Sequence, residues 1–166
     1  MSTFVKNLNL RRAMVPVVIG LITSWTPQAR PAESDPIAIV VRPDLPVDDL
    51  SFAELRRVML GDRQYWSSSL RITLLVRAPG SRERDVVLKT IYQMTEAQFR
   101  QYWIAKVFRA EAPSGPRIVY SSDMAAEMAL AIPGAVTFVD ATQVPSGLKV
   151  LKINGRLPRE TGYPLR

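Results

Sequence analysis

Three arginines and a serine fall within eight consecutive positions, Arg77-Ala78-Pro79-Gly80-Ser81-Arg82-Glu83-Arg84. They follow Arg71 to Val76 (RITLLV), which reads as a buried strand, and Pro79-Gly80 marks the turn that leaves it. Ser81 then stands where a helix N-cap belongs. In an open parallel sheet, ligands bind beyond the carboxyl ends of the strands, and a helix start offers unpaired amides and partial positive charge. With a serine hydroxyl and guanidinium groups that can grip two oxygens at once, the junction suits an oxyanion such as phosphate. The same spacing also describes an ordinary capped surface helix with solvated arginines.

Little other chemistry is open to this chain. Its 166 residues contain no His and no Cys, so there is no imidazole base, thiolate nucleophile, disulfide or Cys-ligated metal. Nucleophile-elbow, phosphate-loop and dinucleotide-binding patterns are all missing. The acidic pairs Asp48-Asp49 and Glu83/Asp85 read as turn and first-turn helix residues, where the helix dipole favours a carboxylate. No catalytic residue, metal site or cofactor is expected, and the chain does not read as an enzyme.

The charge is unevenly spread. There are 22 Lys plus Arg against 15 Asp plus Glu, a net +7, which invites a nucleic-acid reading. Residues 1–32 hold Lys6, Arg11, Arg12 and Arg30 and no acid. The bases at 6, 11 and 12 precede the apolar run Ala13 to Trp25, and a polar, Pro-containing stretch follows it, in the order of a secretory signal peptide. Cleavage is expected after Ala29 or after Ala32; an uncleaved N-terminal anchor is the alternative. The apolar run is too short for a membrane span. Setting aside the four bases of this segment leaves 18 against 15 acids, so the domain over 33–166 carries only +3 and no longer argues for nucleic acid.

The elements that must position the arginine loop follow from periodicity. Asp35 to Val41 is a strand rich in β-branched residues, and Ser51-Phe52-Ala53-Glu54 is a capping box opening a helix that Gly61 should stop. The helix capped by Ser81 should present Val87, Ile91 and Met94 on its buried face. A second capping box, Thr95 to Gln98, opens a helix with Phe99, Tyr102, Trp103 and Val107 on one side. Arg117 to Tyr120 is a short strand, and Ser121 or Ser122 starts a helix ending at Pro133-Gly134. Ala135 to Val139 and Leu148 to Ile153 are the last two strands. With 47% apolar and 22% charged residues this is an ordinary globular composition, and strands alternating with helices predict an α/β domain: three αβα layers around a largely parallel sheet.

In this order the motifs resemble a known family. Ile37 to Val41 with Pro43, Leu50 to Gly61 (LSFAELRRVMLG) with Trp66, Arg77 to Arg84, Ala131 to Val139 (AIPGAVTFV), Leu151 to Gly155 (LKING) and Gly162 to Leu165 (GYPL) are similar to the short phosphate-transporter-type substrate-binding proteins. These are relatives of the bacterial periplasmic phosphate-binding protein, with a type 2 periplasmic-binding fold. The resemblance implies a single lobe of that fold and an exported, periplasmic protein that binds phosphate or a similar oxyanion weakly. Arg77, Gly80, Ser81 and Arg84 would be the ligand-binding residues, and an ABC transporter permease or another envelope protein the partner. The family's strand-R-x-x-G-S-G-T-R pattern is altered at two places: Arg82 replaces its second glycine and Glu83 its threonine. A carboxylate in the first helical turn opposes an anion. A ligand-free interaction module on the same fold is the alternative expectation.

Overall fold

The computed structural model describes residues 35–166. The expected signal segment and both cleavage points lie outside the described residues. Strand β1 (Ile37–Val41, IAIVV) has all five side chains buried, as its β-branched run requires of a strand covered on both faces. After the two-residue strand β2 (Asp49–Leu50) comes helix α1 (Phe52–Met59), whose capping box is complete. The Ser51 hydroxyl accepts from the Glu54 amide at 3.2 Å and the Glu54 carboxylate accepts from the Ser51 amide at 2.9 Å. Gly61 does stop the chain there, with φ +71; a Cβ at that position would lie 2.7 Å from the Trp103 ring, so both backbone and packing demand glycine.

Strand β3 (Thr73–Arg77) leads through the Pro-Gly turn to helix α2 (Arg82–Val87). This helix widens at once into a π-helical turn, Leu88–Tyr92, which Gln93 ends at φ 56. Val87 and Ile91 are buried as expected, whereas Met94 falls beyond the turn and is only partly buried. Helix α3 (Glu96–Phe108) opens on the Thr95/Gln98 box. Its Phe99 and Trp103 are buried and Tyr102 half-buried, but Val107 faces outward beside the exposed Ile104 and Phe108. Strand β4 (Arg117–Val119), helix α4 (Ser122–Ala131, capped by Ser121) and strand β5 (Ala135–Asp140) follow. The final strand expected over Leu148 to Ile153 breaks at the buried Leu151 into β6 (Lys149–Val150), which pairs with β1, and β7 (Lys152–Ile153), which pairs with β2.

The main sheet has the order β4-β3-β5-β1-β6. β4, β3 and β5 run parallel, and β6 shares their direction. The largely parallel sheet is therefore present, with one reversal: β1 lies antiparallel to both its neighbours, Ile37 opposite Asp140 and Val41 opposite Val136. A strand buried on both faces shows no period that would betray its direction, so the reversal is invisible to hydropathy. On one face Ile37, Ile39, Leu74, Val76, Val136 and Phe138 pack beneath α1, the π-turn and α3. On the other, Leu75, Val119 and Ala135 pack beneath Ala125 and Ala129 of α4, and Ala38, Val40 and Val139 beneath the segment that follows β5. Trp66 is buried and its indole N–H donates to the Gly134 carbonyl at 2.9 Å, while Tyr65 is exposed. No helix among the described residues is long and apolar enough to cross a membrane.

Candidate functional site

Strand alternation decides where the first arginine goes. Leu74 and Val76 face α1 and α3, so Leu75 and Arg77 face the α4 side, where β3 meets β4 and Arg77 lies opposite Val119. There the Arg77 side chain is enclosed: the residue is 9% exposed, and its Nε and Nη1 are buried without a hydrogen-bond partner. On the same face the Thr137 hydroxyl is also buried and unpartnered. An enclosed guanidinium with no acid beside it costs solvation that only an anion or other acceptor recovers.

The chain then turns through Ala78-Pro79-Gly80-Ser81. The Ser81 amide donates to the Ala78 carbonyl at 3.3 Å, Pro79 takes the first central position and Gly80 the second at φ +84, the pattern of a type II turn. Nothing lies within 4 Å of a Cβ built on Gly80, so glycine is required by its backbone and the space above the turn is open. The Ser81 oxygen accepts from the Arg84 amide, at 3.4 Å, which leaves its proton free to donate outward. Among the described residues nothing accepts from the amides of Gly80, Arg82 and Glu83.

The other two arginines do not join Arg77. Arg84 is 2% exposed, and its Nε and Nη2 donate to the two carboxylate oxygens of Glu96 at 2.8 Å each. Its Nη1 donates to the Arg77 carbonyl at 2.7 Å, and the guanidinium lies 4.8 Å from the Phe99 ring centre. Arg84, expected to touch a ligand, holds three of its five N–H donors inside the fold, where it props the loop from behind. Arg82 reaches across to β5, donating to Asp140 Oδ2 at 3.0 Å and to the Asp35 carbonyl. Glu83 makes no side-chain hydrogen bond or ion pair, so its carboxylate neither caps the helix nor neutralises Arg77. The other acidic pair is structural, with Asp48 paired to Lys149 at 2.8 Å and Asp49 accepting from the Gly155 amide at 3.0 Å.

Two partners were not foreseeable from local spacing. Glu96 is legible only as a first-turn acid of α3, and Asp140 only as a strand end. Burial pushes the Asp140 carboxyl up, but the Thr142 hydroxyl and amide and the Arg82 guanidinium outweigh it and hold the group below the usual carboxylate range. A pKa lower in the folded state adds stability above the unfolded value, about 3.9, and that stability drains away as pH falls through the folded value. Asp140→Asn is therefore expected to lower the urea midpoint at pH 7 and to approach wild type at pH 3. An equal deficit at both pH values would mean that the charge plays no part.

No protein-family model matches the chain, and no curated protein matches its sequence. Solved structures do match. A phosphate ABC transporter substrate-binding protein with bound phosphate from Clostridium perfringens superposes with a TM-score of 0.58 at 17% identity, over 75% of this chain and 47% of its own. An ABC-type phosphate transport receptor from Vibrio cholerae gives 0.61 at 20% identity, over 75% and 48%. PstS from Borrelia burgdorferi gives 0.62 at 17%, over 79% and 54%. The chain spans about half the length of the solved structures it matches. At such identities the likeness is one of fold: the described residues form an α/β domain of the periplasmic-binding-protein kind, similar to about half of a phosphate-transporter substrate-binding protein.

Proposed function

We propose that the protein is an exported solute-binding protein of the phosphate-transporter type, holding phosphate or a similar oxyanion weakly at Arg77, Gly80 and Ser81, with Arg84 fixing the loop that carries them. The observation that carries this reading is the enclosed Arg77 guanidinium with two unpartnered nitrogens beside an open glycine turn. A transporter permease or another envelope protein would be the partner, and the role is binding rather than catalysis, as in the structures of like fold. Binding is weak because Glu83 places a carboxylate in the first turn of the helix that would offer its amides to the anion.

Calorimetric titration of the full chain with phosphate and with sulfate tests it. Saturable heat at millimolar phosphate is expected, lost in Arg77→Ala and with affinity cut at least about ten-fold in Ser81→Ala, since a hydrogen bond to a charged group contributes roughly 1.5–3 kcal/mol. Glu83→Thr should tighten binding about three-fold by removing a first-turn carboxylate. The second reading, a ligand-free module of the cell envelope, is favoured by that same unpaired Glu83, and silence at millimolar phosphate in both wild type and Glu83→Thr would select it.

A further inference from the structure

At the other end of the sheet the fold leaves a cleft of about 240 Å3. It opens where β3 and β4 begin, at Thr73, Leu74 and Arg117, with Thr73 four strand residues or about 13 Å from Arg77. Its apolar wall is Val58, Leu74, Trp103 and Ala112, supplied by α1, β3, α3 and the loop leaving α3. Three arginines line it, Arg63, Arg71 and Arg117, and no Asp or Glu does. Arg63 is fixed by donating to the carbonyls of Tyr65 and Trp66, at 3.2 and 3.3 Å, and Arg71 by lying 5.7 Å from the Tyr65 ring centre. Neither has a carboxylate partner, and Arg117 makes no side-chain hydrogen bond or ion pair.

Two of the acids near these arginines along the chain are already neutralised. Asp62 is paired with Lys106, and Glu111 holds Arg109 through both oxygens, at 2.6 and 3.2 Å. Arg71 and Arg117 therefore carry positive charge that no ion pair among the described residues offsets, while Arg63 is partly balanced by Glu54, whose carboxyl pKa it helps to lower. An inorganic anion would gain nothing from the apolar wall, and an uncharged apolar molecule nothing from the arginines. The volume sits just under the range of sites for drug-sized ligands.

We propose that this cleft binds a small aromatic carboxylate, its ring against Trp103 and Leu74 and its carboxylate toward Arg71 and Arg117. The site is separate from the Arg77 loop and stands or falls without it.

Calorimetric titration of the full chain with benzoate and 2-naphthoate, with acetate and phosphate as comparisons, tests the proposal. Saturable benzoate binding is expected with a dissociation constant on the order of 0.1–1 mM, tighter for naphthoate and far weaker for acetate. Arg71→Ala and Arg117→Ala should each weaken it at least about five-fold. These side chains are exposed, so the variants should fold as wild type, and a matching melting curve checks that. Gly115→Leu, at a position whose Cβ would meet Trp103 at ordinary contact distance, should fill the cleft and block binding, whereas Ser81→Ala should leave it unchanged. Absence of saturable benzoate binding would overturn the proposal, as would acetate binding as tightly as benzoate, indifference to both arginine substitutions, or loss in Ser81→Ala.

Discussion

Arg77→Met is expected to stabilise the protein by about 1–3 kcal/mol in urea denaturation while abolishing its response to phosphate. The two effects have opposite signs for one reason. Arg77 is buried on the α4 face of the sheet with Nε and Nη1 unpartnered, so the fold carries the desolvation of a charge that no internal acid offsets. Methionine keeps the length and the packing of the stem and removes the charge. Wild type should also gain stability as phosphate is added, by RT ln(1 + [L]/Kd), and the variant should not. A variant destabilised by more than about 1 kcal/mol would show that the guanidinium is held by a favourable internal partner, and the case for an anion at this loop would collapse.

Arg84→Ala, by contrast, is expected to cost about 2–4 kcal/mol. Arg84 is nearly inaccessible and makes two hydrogen bonds to Glu96 and one to the Arg77 carbonyl, with the Phe99 ring beneath it. Truncation leaves that carbonyl without its donor and opens space over Phe99. The Glu96 side chain is 34% exposed and regains water, which keeps the loss from being larger. Glu96→Ala is expected to cost a similar amount by the opposite route, stranding a buried guanidinium. The double variant should cost less than the sum, with a coupling energy of roughly 1–3 kcal/mol. Additive losses would show that the pair contributes no more than its separate packing. Phosphate affinity should fall in Arg84→Ala, because the Arg77 carbonyl it holds leads into the turn.

Local signals in the chain located most of the fold. Both capping boxes, the stop at Gly61 and the cap at Ser81 sit where residue chemistry put them, since each satisfies backbone groups within four positions of itself. Long-range relations were not legible. Eight residues containing three arginines suggested one cluster, yet alternation sends Arg77 to one face of the sheet, a partner 12 positions on takes Arg84, and one 58 positions on takes Arg82. Spacing along the chain reveals none of those distances. The π-turn after Val87 is equally silent, because the same apolar residues would line an ordinary helix. Val107 turns outward because the core ends before the last turn of α3.

The reversed strand at the heart of the sheet has a bearing on how the molecule assembles. β1 pairs only with residues near the far end of the chain, 136–140 and 149–150; the Ile37 amide donates to the Leu165 carbonyl, and the Tyr163 hydroxyl to the Ile37 carbonyl. β3 and β4 are neighbours in sequence and β3 reaches β5 across one crossover, but β1 must wait for a loop of nearly a hundred residues to close, a slow event set by chain entropy. The first strand of the described residues is thus completed only when strands about a hundred residues later in the chain reach it.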